Sequence, residues 1–391
     1  MLVLNLWFRT GGTENAMIGM CRELQKHGCD VTVLSFFDEG DNRERMPEGV
    51  KLRLMERSFL QDAMLRHYSK NGLVRAVQKV IHKSSQIIFR VNGEGNRLFE
   101  SVLKLTPCLP DEEYDLLLDF YGYGNFLTAF GDRKVRAKRK ATWVHSENMD
   151  YFRRTRGYYG GYDRIFCVSN AVKDAFDKEF PDFAEKTEVF HNYIDTERIQ
   201  SLASQSTQDM FDPGKGFNIV TVCRLNREKG IDIAIGAAAI LKKTGCVFKW
   251  VIIGEGEERQ TLESLIREND IGDCFCLAGN RTNPYPYIKN CSIYVQPSRN
   301  EGYSTTILEA RVLGKVIVTS NIPSSIEQIN DGINGYICEL DPESFASRIS
   351  RLMDNRERIS KMECTIAGLN DYSFDDYKLI VNMIDSQPAR S

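Results

Sequence analysis

No stretch of this chain is apolar for long enough to span a bilayer. The longest candidate, residues 233–241 (IAIGAAAIL), falls far short of the roughly 20 residues required and reads as a buried helix. The opening run LVLNLW has no basic lead-in, no long apolar core and no small-residue cleavage site, so a signal peptide is not expected. The 11 cysteines do not form a disulfide framework, because the number is odd and the chain is long, and their spacing fits no zinc site. They read as small apolar fillers in a reducing compartment, which makes a cytoplasmic location the expectation and leaves attachment to the inner face of the cell membrane open. A formal net charge of −3 gives no global attraction to nucleic acid, and no aromatic platform accompanies the basic clusters.

A length of 391 residues suits two domains better than one, and 42% hydrophobic with 27% charged residues is ordinary for a folded globular chain. Short apolar runs alternate with helical patterns. Strands are expected at residues 2–7, 31–36, 114–120, 141–144, 164–168 and 187–190, with a helix over 15–27. The pattern pauses over 191–215, a polar stretch ending in Asp212-Pro213-Gly214 that reads as a linker. It resumes with strands at 217–222, 248–253, 274–278, 293–296, 316–319 and 336–338, and helices at 231–243, 258–269, 285–289 and 305–313. The expected fold is therefore α/β, with two doubly wound Rossmann-like domains facing a central cleft. Residues 1–195 form the first, 196–371 the second, and 372–391 hold a C-terminal helix that crosses back to the first.

The most informative segment is NEGYSTTILEA, residues 300–310. Glu301 lies in a Gly-containing turn and Glu309 eight positions on, within an expected helix that opens with Ser304, Thr305 and Thr306. Hydroxyls and backbone N–H groups at a helix start can receive a diphosphate. Carboxylates on either side can accept hydrogen bonds from sugar and ribose hydroxyls. CRLNREKG places Arg224 and Lys229 at the carboxyl end of the first strand of the second half, where two cations can neutralise a diphosphate leaving group. GEGEERQTLES puts Gly254 after a buried strand, where a base or ribose could come close. TGGTEN gives Gly12 at a helix start, and TWVHSEN gives His145 at a strand end. Each piece alone is equally a solvated loop or a tight βα turn.

Taken in order, TGGTEN, WVHSEN, CVSNAVKDAF, HNYIDTERI, CRLNREKG, GEGEERQTLES, NEGYSTTILEA and GKVIVTS resemble the retaining glycosyltransferases of family 4, which have the GT-B fold. The resemblance spans nearly the whole chain, most strongly over 219–336. It implies an acceptor-binding first domain and a nucleotide-sugar-binding second one. It implies that Arg224 and Lys229 bind the donor diphosphate, Glu301 the sugar hydroxyls and Glu309 the ribose. Backbone groups of Tyr303, Ser304, Thr305 and Thr306 would line the sugar and phosphates. Gly12 would let its loop close over the phosphates, and His145 would sit by the transferred sugar. The family often has Gly at the position of Cys223, which bears on loop packing more than on charge. No metal is required in the family, no Asp-x-Asp pair is placed to hold one, and no cofactor beyond the co-substrate is implied.

The acceptor side is read from charge. Residues 64–91 carry six cations (Arg66, Lys70, Arg75, Lys79, Lys83, Arg90) and no acid, with apolar residues at helical spacing, and residues 133–140 add six more cations. A basic amphipathic helix favours an anionic lipid surface, against packing on the core with its polar face in water. The expectation is an enzyme moving a hexose from a nucleoside-diphosphate sugar, UDP by family usage, to a surface-polysaccharide or lipid-linked glycan of the cell envelope. A protein O-glycosyltransferase would need an added β-rich acceptor domain. A non-catalytic homologue acting as a binding or chaperone subunit would have lost Glu301, Arg224 or Lys229. An epimerase would need acid/base groups around the sugar.

Overall fold

The computed structural model describes residues 1–9, 11–56, 62–63, 65, 69, 71–92, 97–106, 109, 113–205, 216–369 and 375–385. The chain divides into two compact units, Met1–Tyr193 with Phe374–Ser391, and Ile194–Ser373.

In chain order the first unit contains β1 (Leu2–Asn5), α1 (Gly12–Lys26), β2 (Thr32–Ser35), β3 (Lys51–Leu54), α2 (Gly72–Asn92) and α3 (Arg97–Leu105). These are followed by β4 (Tyr114–Asp119), α4 (Phe126–Lys134), β5 (Ala137–Val144), β6 (Arg164–Cys167), α5 (Asn170–Glu179) and β7 (Thr187–Val189). The strands line up as β3-β2-β1-β4-β5-β6-β7, every pairing parallel. Continuous apolar strands such as LVLN are buried along their whole length because helices cover both faces. Leu2, Leu4, Leu34, Phe36 and Leu117 pack on one face against Phe126 and Phe130 of α4.

The second unit opens with α6 (Thr196–Ala203), then β8 (Asn218–Val222), α7 (Ile231–Lys243), β9 (Lys249–Ile253), α8 (Arg259–Glu268) and β10 (Phe275–Gly279). Next come α9 (Tyr285–Asn290), β11 (Ile293–Gln296), α10 (Thr305–Val312), β12 (Ile317–Ser320), α11 (Pro323–Gln328), β13 (Gly335–Cys338), α12 (Pro342–Asp354) and α13 (Arg356–Gly368). The sheet order is β10-β9-β8-β11-β12-β13, again all parallel. Side chains of each strand alternate between two cores. Ile219, Trp250, Ile252, Ile293, Val295 and Val318 enter one, and Val220, Val251, Ile253, Tyr294 and Ile317 the other.

Both sheets start in the middle and wind outward in both directions. The reversal falls between β1 and β4 in the first unit and between β8 and β11 in the second. Loops leaving the carboxyl ends of the two strands at such a point diverge and leave a crevice, so that is where a ligand is expected in each unit.

The last described helix, α14 (Tyr377–Asp385), belongs to the first unit. The Tyr377 ring lies 4.1 Å from that of His27 at the end of α1. Asp376 accepts a 2.7 Å hydrogen bond from the backbone N–H of His191 and lies 3.0 Å from its Nδ1. Ile380 and Met383 are buried.

Elements such as β3, α3, α4, α5 and α11 stand where none was expected, and two further stretches differ from the sequence expectation. Of the segment read as a linker, 206–215 lie outside the described residues and the part before them holds α6, because Asp195 caps it by accepting from Arg198 N–H at 3.0 Å and because Ile199 and Ala203 bury against the core containing Tyr285 and Ile288. Its polar residues Gln200 and Ser201 face water, which gave it a loop-like composition. Between β13 and the expected C-terminal helix, where no element was expected, lie α12 and α13. Asp341 caps the first and Asn355 the second, and Phe345, Ile349 and Leu352, then Ile359, Met362 and Ile366, recur at helical spacing on the buried side.

Candidate active site

In the second unit the loop after β8 and the loop after β11 are joined by charge. Arg299 forks onto Asp232 in the first turn of α7, at 2.7 and 2.6 Å, and this pairing holds the Asp232 carboxyl below its ordinary pKa. The Arg299 N–H donates to Glu228 O at 2.7 Å. Gly230, at φ +64°, turns the first loop into α7, and a Cβ there would lie 1.9 Å from Pro297 O. Only glycine lets the two loops come this close.

That closeness brings Lys229 and Glu301 together. Lys229 Nζ lies 2.7 Å from each carboxylate oxygen of Glu301, with the side chains only 16% and 12% exposed. Glu301 Oε1 also accepts from Gln296 Nε2 at 2.7 Å and from Ser298 Oγ at 2.8 Å. Arg224, in the same loop as Lys229, is exposed.

Helix α10 begins beside this pair. Ser304 is its N-cap, its Oγ accepting from Ile307 N–H at 3.3 Å. The Ser304 backbone is clamped by buried Gln328, whose Oε1 accepts from Ser304 N–H at 3.0 Å while its Nε2 donates to Ser304 O at 2.9 Å. Ser304 is thus occupied in holding the helix start. The N–H groups of Thr305 and Thr306 are those left by helix geometry without an intrahelical acceptor, and they mark the positive end of the helix dipole. Glu309, one turn on, is 5% exposed, and its Oε1 accepts from Tyr285 OH at 3.2 Å. Tyr303 lies in the turn before α10, half-buried.

Gly254 has φ +145°, and a Cβ there would lie 1.8 Å from Cys223 O. The close approach that this glycine permits is to the loop after β8. Leu225 N–H also donates to Glu255 O at 2.9 Å, so the two loops brace one another. The Cys223 thiol is pushed up to about 12 by burial and stays protonated.

In the first unit, the switch point gathers the loops after β1 and β4 with the end of β5. Gly12 is the first residue of α1. Next to it, Thr13 Oγ1 and Tyr123 OH are 2.9 Å apart, and Glu14 accepts from Trp7 Nε1 at 2.9 Å. His145 follows β5. Its Nε2 lies 2.7 Å from Phe120 O and its ring stacks on Tyr123, with centroids 4.9 Å apart. A carbonyl can only accept, so Nε2 carries the proton. Burial lowers the His145 pKa to about 4, with the bond to Phe120 O working in the opposite direction. The ring is therefore neutral near pH 7, and its Nδ1 is an acceptor for a hydroxyl rather than a source of a proton.

This gives a pH signature. The unfolded chain takes up a His145 proton near pH 6.5 and the folded one only near 4, so stability falls as pH drops through that window. Buried Asp119, raised to about 6 by burial, has the opposite sign, its contribution being lost as pH rises from about 4 to 6. Comparing His145→Gln with wild type cancels Asp119. Between pH 7 and pH 5 the variant should gain about 2 kcal/mol relative to wild type in urea unfolding, and a constant difference would contradict a buried neutral imidazole.

Of the basic residues expected on α2, Arg75, Lys79 and Lys83 are exposed, whereas Arg66 and Lys70 lie outside the described residues. Leu73, Val77 and Val80 are 79%, 46% and 63% exposed and fall on one helical face. The second cluster behaves differently. Lys138 pairs with Asp115 and Arg139 with Asp163, while Lys140 donates to the carbonyls of Gly131 and Asp132. Much of its charge is consumed within the fold.

Among the described residues, no helix is long and apolar enough to cross a membrane, and no group of three or more His, Cys, Asp or Glu could hold a metal ion. Sequence reasoning missed Gln296, Gln328 and Tyr285. Gln296 did carry a signal, since a Gln ending the apolar run IYV must find partners once buried.

Two family models match the chain, "Glycosyltransferase Family 4" over residues 10–198 and "Glycosyl transferases group 1" over residues 206–365. The amylovoran biosynthesis glycosyltransferase AmsK of Erwinia amylovora is 31% identical over 254 residues, 61% of each chain. The N-acetylgalactosamine-N,N'-diacetylbacillosaminyl-diphospho-undecaprenol 4-alpha-N-acetylgalactosaminyltransferase of Campylobacter jejuni is 28% identical over 224 residues, 56% of this chain and 59% of that one. The chain thus spans about three fifths of the length of these two relatives. Among solved structures, HepE of Anabaena in complex with UDP superposes with a TM-score of 0.68 at 16% identity, covering 99% of both chains.

Proposed function

The chain belongs to the GT-B glycosyltransferases of the group 1/family 4 type, and on that footing we propose that it transfers a hexose, with retained anomeric configuration and without a metal, from a UDP-sugar to a surface-polysaccharide or lipid-linked glycan. The observation that carries this reading is the Lys229–Glu301 pair beside the start of α10. A cation, an exposed arginine, two helix-start N–H groups and a carboxylate within one loop pair supply what a sugar diphosphate needs. Arg224, Lys229 and the N–H groups of Thr305 and Thr306 hold the diphosphate. Glu301 accepts from sugar hydroxyls and Glu309 from ribose. Tyr303 and the Ser304 cap shape the wall, and Gly254 keeps the neighbouring loop in place. In the first unit, the neutral His145 ring offers Nδ1 as an acceptor for a hydroxyl, and Gly12 opens helix α1 at the switch point of its own sheet.

The bond between the anomeric carbon and the diphosphate oxygen breaks as the acceptor oxygen bonds to that carbon from the same face. The acceptor's proton passes to the departing phosphate. The cations and the helix start stabilise the growing negative charge, an effect of about 3–4 kcal/mol for one important donor. UDP is favoured because the HepE structure contains it, and a lipid-linked glycan because the Campylobacter relative is named for a diphospho-undecaprenol substrate.

An acceptor of that kind places the enzyme at an anionic membrane, and the α2 surface supports this. The exposed Leu73, Val77 and Val80 would enter the headgroup boundary, with Arg75, Lys79 and Lys83 meeting anionic lipid. Flotation with phosphatidylglycerol vesicles should recover the wild type at low salt, and Leu73→Gln/Val77→Gln/Val80→Gln should lose that recovery. Equal flotation of both would remove α2 from the account.

The reaction is tested by a donor-hydrolysis screen over UDP-, GDP- and ADP-sugars, with EDTA present and absent. Slow release of free nucleotide from one UDP-sugar, unaffected by EDTA and abolished in Glu301→Ala, is expected. Release only from a GDP- or ADP-sugar, or only with added metal, would overturn the corresponding part.

A further inference from the structure

We propose that Gln296 is a positioning residue that ties the sugar-binding carboxylate to the phosphate-binding helix start, an inference that rests on the donor site proposed above. Gln296 ends β11 and is 2% exposed. A buried primary amide can make four hydrogen bonds, two as donor and two as acceptor, and here all four are made. Nε2 donates to Glu301 Oε1 at 2.7 Å and to Ser304 Oγ at 2.8 Å. Oε1 accepts from Thr306 Oγ1 at 2.8 Å and from Tyr294 OH at 3.2 Å. Tyr294 OH also lies 3.3 Å from Val222 O at the end of β8.

These contacts fix which way the amide points. The carbonyl end faces the hydroxyls of Thr306 and Tyr294, and the end that faces Glu301 must be the NH₂, because a carboxylate can only accept. A carboxylate and the Ser304 oxygen, itself engaged as a cap, stand there. A single side chain thus joins the hydrogen bonds that orient Glu301 to those that place the first turn of α10. Its effect is exerted through other groups, so it is not itself a catalytic residue. The two sites it connects have different tasks. Glu301 is addressed to the sugar and keeps only Gln296 and Ser298 as donors once Lys229 turns to the diphosphate, whereas the α10 start is also held by the Ser304 cap and by the Gln328 clamp. Loss of the Gln296 amide should therefore disturb sugar recognition far more than diphosphate binding.

The test uses Gln296→Met, which keeps volume and removes the amide, and Gln296→Glu, which keeps the shape and places a second titratable carboxyl against Glu301. For Gln296→Met we expect kcat/KM for the sugar nucleotide to fall about tenfold to a hundredfold, while inhibition by UDP alone changes by less than about threefold. A crystal structure of the variant should show Glu301 turned away from its wild-type position. Gln296→Glu should be active when the new carboxyl is protonated, since an O–H then replaces the amide donor, and should lose activity as pH rises. Two ionised carboxylates this close repel. Acidification should therefore restore it in a range where the wild-type rate is flat.

Equal losses in UDP affinity and turnover would overturn the proposal, because they would make Gln296 a general prop of the loop. An unmoved Glu301 in the Gln296→Met structure would overturn it too, as would a pH-independent defect in Gln296→Glu. A wild type that turns over no sugar nucleotide would instead sink the functional reading, and the Glu301 position in the Gln296→Met structure would still decide the positioning claim.

Discussion

Lys229→Ala is expected to lower donor turnover by about 10²–10³-fold, the usual consequence of removing one preorganised donor to a developing anion. A second effect follows from its partner. Glu301, 12% exposed, keeps Gln296 and Ser298 as donors but loses the cation at 2.7 Å from both its oxygens. A carboxylate left in a partly buried site without its counter-charge costs about 1–3 kcal/mol of stability, so the midpoint of unfolding should also fall. Arg224→Ala separates the two effects. Arg224 is exposed, so its loss should lower turnover by at least about 10²-fold on the same electrostatic reasoning with little change in stability. A Lys229→Ala enzyme that is both stable and near-normal in rate would place the diphosphate somewhere else.

Gly254→Ala should produce the largest loss of stability of any single methyl addition in the second unit. The new Cβ would stand 1.8 Å from Cys223 O, and the residue would be held at φ +145°, which L side chains rarely adopt. The loop cannot yield without cost. Leu225 N–H is bound to Glu255 O and Glu258 N–H to Leu225 O, so a shift at 254 tears the contacts that shape the loop carrying Arg224 and Lys229. Strained backbone and a steric clash together are expected to cost more than about 3 kcal/mol and to weaken UDP binding in parallel. Chemical denaturation and UDP titration of the same preparation would check this. A stable variant with weakened UDP binding would show that the glycine faces the nucleotide directly, as its sequence context alone suggests.

Much of the architecture could be read from local pattern. The buried strands β1, β8, β9, β11 and β12 are nearly continuous apolar runs, as parallel strands covered on both faces must be, and the helices between them keep a 3.6-residue period. What escaped was structure whose stability comes from distant partners. Helix α6 looks polar until Ile199 and Ala203 meet Tyr285 and Ile288 some 80 to 90 positions away. The contact between Lys229 and Glu301 spans 72 positions and cannot be inferred from either motif alone. The order of the motifs assigns both residues to one expected donor site only through the family resemblance. Of the supports around them, Gln328 and Tyr285 carry no such signal and Gln296 shows only that it needs partners, because ordinary buried polar residues do not announce which neighbour they serve. Of the basic residues, charge alone could not separate the exposed face of α2 from the internally paired cluster at 133–140.

The most direct test is a crystal structure of the protein soaked with UDP. The account predicts phosphate oxygens within hydrogen-bond distance of the Thr305 and Thr306 N–H groups, with Arg224 and Lys229 on the same diphosphate and the ribose against Glu309. A diphosphate bound away from the start of α10, with Lys229 still closed on Glu301, would contradict it.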